Sequence, residues 1–316
     1  MDTYNPQKLP FFPRPYPGES LYSILCRYHV RSGNVSAHRT IRQLFGSYDS
    51  LLSTLLLPPR LDRLKCWVTS GDDISAEVLL REHTAFSLCK LRSFSEYQLI
   101  FSGADHNSVF TRRLRKGTFR QALIQHPSHE LRYCPCCAAE QKKIYGESYW
   151  QILPQLDGVE ICPIHHVRIV SSSIQISRIQ HMFLPADTVL PKVAPAPAPS
   201  CRLWYNNDHI DAYPDLFVAM ANTVLYLWEN LPHLSGIWSL LNRYRLRLSR
   251  ENAFWQSTEC VRAELIKTNP LPLVSQILNR EASITERRFL FFSNFMLSEH
   301  AMMISMLAES PQAFFD

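Results

Sequence analysis

Four residues with the chemistry of metal ligands stand in two pairs along the chain. Cys134 and Cys137 are separated by two residues, Cys162 and His165 are spaced in the same way further downstream, and a proline follows the first cysteine of each pair. Thiolate and imidazole suit a borderline-soft ion, and each short spacing lets a pair converge on one edge of a tetrahedron. The pattern predicts one closed, four-coordinate structural Zn(2+) site per chain, which organises a fold and performs no reaction.

Other interpretations of these residues fit less well. Cys136 and His166 are adjacent alternatives as ligands, but their spacings match a paired turn poorly. A redox pair is expected at a strand-to-helix start within a βαβ unit, which the sequence does not suggest here. A catalytic zinc needs an open position and a base, and no His-Glu motif on a helix supports a zinc-dependent hydrolase or nuclease. We predict no enzyme and no catalytic residues.

Composition predicts an ordered, mainly α protein. The 316 residues are 46% hydrophobic and 19% charged, and only 9 glycines stand against 21 prolines. The first 190 residues carry 22 Lys and Arg against 16 Asp and Glu, and this basic excess favours a nucleic-acid partner. No opening signal peptide and no apolar run of membrane-spanning length are present, so we expect a cytoplasmic bacterial protein, associated with the nucleoid when bound and without a membrane partner.

Helical periodicity predicts a helix-turn-helix near the start of the chain. Leu21, Ile24, Leu25 and Tyr28 share one face of a helix over 19–30, a Gly-Asn turn follows, and 36–45 resumes the pattern with inward Ile41, Leu44 and Phe45. The second helix presents residues able to contact phosphates and base edges, namely His38, Arg39, Arg42 and Gln43. The alternative is an ordinary helical hairpin with a solvated polar face.

A second candidate for DNA contact is the segment Thr111–Gln125. It is the densest basic stretch of the chain and contains no acidic residue; its cations are Arg112, Arg113, Arg115, Lys116 and Arg120. A run of charges is more often a solvated face, but the missing carboxylates favour phosphate contact.

The pattern divides the chain into five units. They are an extended, proline-rich arm over 1–18, an N-terminal helical (helix-turn-helix) domain over 19–128, a central zinc-finger or ribbon domain over 129–185, a Pro/Ala-rich linker over 186–210, and a C-terminal helical domain over 211–316. Individual helices are predicted at Ser75–Thr84, Asp215–Glu229 and Ile284–Leu307, and Tyr149–Leu153 is predicted as a short strand or an aromatic plug over the metal site.

Three stretches resemble the TniQ/TnsD family of transposition target-selection proteins. The opening Phe-Phe-Pro-Arg-Pro-Tyr-Pro-Gly-Glu-Ser over 11–20 is similar to the family's proline-bearing start, and Glu82–Phe86 is the second stretch. The third and most specific runs from Tyr133-Cys134-Pro135 through an aromatic-rich middle to Cys162-Pro163-Ile164-His165. The resemblance covers about residues 11–170.

The resemblance implies a non-enzymatic adaptor of a mobile element, active in DNA recombination. Such a protein marks an insertion site on double-stranded DNA, by reading an attachment site directly, and recruits a TnsC-like AAA+ ATPase regulator. A TniQ-type adaptor bound to an RNA-guided CRISPR effector is the alternative, and a homodimer is also open. The chain ends at Asp316 without the long extension typical of TnsD proteins, so we expect a compact TniQ-type member or a shortened TnsD-type one.

Overall fold

The computed structural model describes residues 9–46, 55, 64, 67, 74–91, 130–192, 196–197, 205–231 and 297–315. This part of the chain is mainly helical with one small sheet, as the composition predicts. Its helices are α1 (Leu21–Arg31), α2 (Ala37–Phe45), α3 (Ala76–His83), α4 (Pro135–Tyr145), α5 (Ala186–Val189), α6 (Asn207–Ala212), α7 (Pro214–Asn230), α8 (Leu297–Leu307) and α9 (Pro311–Phe315). Its strands are β1 (Glu130–Tyr133), β2 (Val170–Gln175) and β3 (Ala196–Pro197).

Helices α1 and α2 match the two helices predicted for this segment, and the pair with its turn is called the helical hairpin. The side chains of Ser20 and Ser36 cap the two N-termini, and Gly46 ends α2 with φ of 75°, in the left-handed region that glycine tolerates best. The seven residues predicted to face inward are all buried: Leu21, Ile24, Leu25, Tyr28, Ile41, Leu44 and Phe45. In the turn, Asn34 Nδ2 donates to Thr40 Oγ1 at 3.0 Å, which ties the turn to α2.

The polar side of α1 is covered as well as its apolar side. All residues from Leu21 to Tyr28 are buried, including Ser23 and Arg27. The segment 149–152 covers this helix: Trp150 N–H donates to Ser23 Oγ at 3.1 Å, and Ser20 N–H donates to the Trp150 carbonyl at 2.8 Å. The segment is therefore bonded to the start of α1, and it forms a single bridge between Gln151 and Glu19 instead of the predicted strand.

The sheet has the order β1-β2-β3 with both pairs antiparallel. Tyr133 lies opposite Val170, so the residues after β1 and before β2 meet at one end of the sheet. Those residues contain the two predicted ligand pairs. Strand pairing thus brings the two pairs close together in space although more than twenty residues separate them in the sequence.

The C-terminal helices join the central segment at a tight contact. The Ser298 N–H at the start of α8 donates to Asp157 Oδ2 at 2.9 Å. The adjacent Gly158 has φ of 87°, and a Cβ there would lie 2.9 Å from Ser298 Cα. Glycine is required at this position on both counts. The predicted helix Asp215–Glu229 is confirmed as α7, and α8 confirms the end of the helix predicted over Ile284–Leu307.

Two features of the described residues bear on the predicted domain organisation. The start of the predicted spacer is folded, because α5 lies within it and β3 pairs with β2. The predicted boundary near 128 does not separate two cores in the described residues, since α1, α2 and the segment over 130–184 share one hydrophobic cluster. The segment Thr111–Gln125, with Arg112, Arg113, Arg115, Lys116 and Arg120, lies outside the described residues.

Among the helices that the structure describes, none combines the length and the apolar character that a bilayer crossing requires.

Candidate metal centre and helical hairpin

The first ligand pair lies at the start of a helix. β1 ends at Tyr133, Cys134 is the N-cap of α4, and Pro135 occupies the first helical position, which suits proline because no N–H is needed there. The Cys137 N–H donates to Cys134 Sγ at 3.5 Å. The helix N-terminus stabilises negative charge on these sulfur atoms.

The first ligand pair begins a helix directly after a strand, which the sequence did not suggest. The strand before it is antiparallel to its neighbour, however, so the arrangement is no βαβ unit. Both cysteines are free thiols and both belong to a cluster with Cys162 and His165, which leaves the redox interpretation without support.

The second ligand pair lies in a tight turn. Cys162 N–H donates to the Val167 carbonyl at 2.8 Å, and His166 N–H donates back to the Cys162 carbonyl at 2.9 Å. His166 has φ of 53°, a left-handed conformation that reverses the chain direction. The turn places Cys162 and His165 side by side, facing the start of α4.

The structure brings the four predicted ligands together. One ligand atom from each of Cys134, Cys137, Cys162 and His165 lies within 4.8 Å of the others, and this group could hold a metal ion. The Cys137 and Cys162 sulfur atoms are 3.8 Å apart, and His165 Nδ1 lies 3.3 Å from Cys137 Sγ and 3.6 Å from Cys134 Sγ and Cys162 Sγ. Tetrahedral Zn–S bonds of about 2.3 Å place sulfur atoms about 3.8 Å apart, so the separations fit such an ion.

Three thiols at this distance cannot all ionise without a cation. The pKa of Cys137 is raised because hydrogen bonds with Cys134 and Cys162 hold its proton. The pKa of Cys162 is lowered because the same two neighbours donate hydrogen bonds to it. The cluster alone therefore stabilises a single negative charge, whereas a divalent cation would stabilise three thiolates.

Glu140 belongs to the centre and was not predicted as part of it. Its Oε1 lies 3.0 Å from His165 Nε2, on the opposite side of the ring from the sulfur atoms. The hydrogen bond that His165 Nε2–H donates to Glu140 raises the pKa of His165. A carboxylate on the outer nitrogen fixes the ring so that Nδ1 faces the metal position. Glu140 follows Cys137 by three residues in a helix, and this spacing could have indicated that its side chain lies near the cluster.

Cys136 and His166 lie outside the four-residue cluster. Cys136 is half-buried in the first turn of α4, and His166 is exposed beside the turn. Neither alternative ligand is supported among the described residues.

A partly buried ion-pair network joins the segment that contains the Cys/His cluster to α1. Arg27, with 6% of its side chain exposed, bonds Glu19 Oε2 at 2.7 Å and Glu147 Oε1 at 3.0 Å. Arg31 reaches the same Glu147 oxygen at 2.6 Å. The Arg27 guanidinium also lies 3.8 Å above the Tyr16 ring, so the extended arm belongs to the network.

The predicted DNA-contact residues of α2 lie on its outer side. His38, Arg39 and Arg42 are exposed, and neither arginine pairs with a carboxylate among the residues that the structure describes. Gln43 differs, because it is half-buried and its Oε1 accepts from Asn34 Nδ2 at 2.9 Å. The other predicted set, Arg112 to Arg120, is outside the described residues.

Comparison with known proteins identifies a family that matches the first half of the chain. The TniQ family model matches residues 10–169, about half of the chain, including α1, α2 and all four clustered ligands. The chain is also 29% identical over 164 residues to the transposition protein TnsD of transposon Tn7 from Escherichia coli. That match covers 49% of this chain but only 30% of the relative's length. Because the family model spans half of the sequence, the chain belongs to the TniQ family.

Proposed function

We propose that this protein selects DNA insertion sites for a transposon and recruits an AAA+ ATPase regulator to them. The observation that carries the proposal is the family match over the segment that holds both the metal cluster and the helical hairpin. The relative named TnsD is a transposition protein, which supports the same role.

The metal in this proposal is one Zn(2+) per chain, in a structural role. Three thiols and one imidazole satisfy a tetrahedral ion, so no position stays open for water or substrate. Glu140 bonds the outer nitrogen of His165, as the partners of metal-bound histidines commonly do. The ion would hold α4 against the turn after Cys162, and through Glu147 it would help to fix α1.

The DNA-contacting element in this proposal is the outer side of α2. His38 and Arg42 are four positions apart and Arg39 lies beside them, so the three exposed side chains share one side of the helix. The stretch from Ser36 to Gly46 contains no acidic residue, so nothing within it repels phosphate. Arg112, Arg113, Arg115, Lys116 and Arg120 are proposed as a second set of phosphate contacts on the sequence pattern alone.

The regulator is proposed to contact the C-terminal helices. Residues 191–316 carry 11 Lys and Arg against 12 Asp and Glu, so this part offers no excess of positive charge to DNA. A segment without excess positive charge is better suited to a protein partner.

Fluorescence anisotropy with labelled duplexes tests the DNA-reading role. Duplexes that carry candidate attachment sites, with shuffled duplexes as controls, are titrated at salt concentrations between about 50 and 200 mM. The proposal expects binding that weakens steeply with salt and prefers one site. Absence of binding to every duplex, together with capture by a CRISPR effector complex, would replace direct reading by RNA-guided placement.

A further inference from the structure

A cavity outside the metal centre lies where three distant segments of the chain meet. Its volume is about 520 Å³, and it is lined by the extended arm over 15–18, by the end of α3 and by the end of α7. This volume is in the range of pockets that take a small ligand or a long side chain. Two of the stretches that resemble the family line the cavity, yet neither the metal nor the hairpin uses it.

His83 supplies a hydrogen-bond acceptor to this cavity. Its side chain is 5% exposed, and Nδ1 lies 2.6 Å from the Glu19 carbonyl oxygen. A carbonyl oxygen can only accept, so Nδ1 carries the proton. Burial lowers the pKa of His83, which keeps the ring neutral. Nε2, the remaining nitrogen, is then an acceptor and favours a ligand that donates.

Part of the cavity lining is apolar. Trp228 is 8% exposed, and its Nε1–H is bonded to the Thr84 carbonyl at 3.0 Å, which fixes the position of the indole. Pro15 and Pro17 also line the cavity and have no N–H to offer. Aliphatic carbon packs well on such walls, and an indole ring also attracts a cation.

Two carboxylates stand among the lining residues, and one of them has no ion-pair partner within the described part of the chain. Glu82 pairs with Arg81 at 2.9 Å. Glu229 is exposed at the end of α7, and no ion pair is found for it among the described residues. Partial burial raises the pKa of Glu229, as expected for a carboxylate without a nearby cation. One arginine against two glutamates leaves the lining with a charge of −1.

We propose that this cavity receives an arginine or lysine side chain from a partner polypeptide. The aliphatic stem packs between the arm prolines and Trp228, and the charged head pairs with Glu229 and donates to His83. The arm's own carbonyls at Tyr16, Pro17 and Gly18 already accept hydrogen bonds within the chain. The arm therefore cannot pair with an added strand of the partner through these carbonyls. Recognition depends instead on one side chain of the partner polypeptide that enters the cavity. This inference is independent of DNA reading.

The test uses NMR of the whole protein labelled with ¹⁵N. The probe is a capped peptide with one arginine between alanines, and its control is the same peptide with citrulline, which has the same shape and no charge. The indole N–H signal of Trp228, identified by its loss in Trp228→Phe, reports occupancy among the 6 tryptophans. We expect saturable shifts with arginine and none with citrulline. Equal shifts with both peptides would overturn the proposal.

Two matched variants locate the binding charge. Glu229→Gln is expected to weaken binding about tenfold, since it removes a charge-assisted hydrogen bond. Glu309→Gln is the control, because Glu309 lines a separate groove with Glu229 but does not line this cavity. Unchanged binding by Glu229→Gln, or equal weakening in both variants, would overturn the assignment. Spermidine that binds as tightly as the peptide would show a site for free cations and would also overturn it.

Discussion

α1 and α2 belong to one hairpin, but Arg27 of α1 and the two arginines of α2 have opposite surroundings. On α1, Arg27 is buried and bonded to Glu19 and Glu147. On α2, Arg39 and Arg42 are exposed and pair with no carboxylate in the described part of the chain. The arginine of the first helix therefore stabilises the fold, whereas the two arginines of the second helix remain accessible to a ligand. Substitution of Arg27 should therefore lower the stability of the fold, whereas substitution of Arg39 and Arg42 should weaken ligand binding and leave stability unchanged.

The largest expected effect is the loss of stability that follows removal of one proposed metal ligand, Cys134. Cys134→Ser deletes one thiolate but keeps the helix start, because serine is itself a good N-cap. Structural zinc contributes about 10–16 kcal/mol in small zinc-binding peptides, so we expect loss of the bound ion and of cooperative unfolding. Metal analysis and thermal unfolding measure both. Cys136→Ser, outside the cluster, is the control and should retain one ion and an unchanged Tm.

The next effect concerns the buried arginine of α1. Arg27→Met removes the partner of one buried carboxylate, Glu19, and of one partly exposed carboxylate, Glu147, and we expect a loss of about 3–5 kcal/mol in the free energy of unfolding. Arg31→Met removes the exposed partner of the same Glu147 oxygen and should cost no more than about 1 kcal/mol. Equal losses in denaturant unfolding would contradict the scaffold role of α1.

A pH dependence follows from Glu19. Burial raises the pKa of this carboxyl from 4.5 to about 7, against the opposing effect of Arg27. The folded protein therefore binds this proton more tightly than the unfolded chain does, so the Glu19 contribution to stability falls as pH rises from 4.5 to about 7 and is constant above.

Glu19→Gln isolates this contribution from other groups. His83, whose pKa is lowered by burial, contributes with the opposite sign, since its protonation at low pH destabilises the fold. The difference in unfolding free energy between the native protein and Glu19→Gln should change across that window. A difference that is independent of pH would show that Glu19 titrates normally.

A smaller effect is expected at the metal's outer contact. Glu140→Gln weakens the hydrogen bond to His165 Nε2, and such contacts are typically worth about 10- to 100-fold in metal affinity. Because Glu140 is 60% exposed, we expect the lower end of this range. Competition with a zinc chelator measures it. Glu77→Gln, at an exposed helical carboxylate remote from the cluster in sequence, should leave the affinity unchanged.

The sequence predicted the parts that depend on local pattern. The spacing of Leu21, Ile24, Leu25 and Tyr28 predicted the buried face of α1, and the paired spacings predicted all four clustered ligands. Each of these features depends on residues a few positions apart in one helix or one turn, so their spacing in the sequence is enough to predict them.

The parts that sequence reasoning missed depend on residues far apart in the chain. The burial of Arg27 requires Glu147, 120 positions away, and the cavity requires Trp228 beside an arm at 15–18. The role of Glu140 depends on a ring contributed by another turn. Helix α4 was missed because the first ligand pair was interpreted as a tight turn, whereas Cys134 caps a helix.

The most direct test of the proposed division between α1 and α2 is DNA binding by Arg39→Gln/Arg42→Gln. We expect an unfolding free energy within about 0.5 kcal/mol of the native protein, since both side chains are exposed. We also expect weaker duplex binding, with the slope of log K against log salt reduced by about 2. Lys192→Gln, an exposed cation on another element, should change neither the unfolding free energy nor the binding. Unchanged affinity and slope in the double variant would contradict a DNA-contacting role of α2.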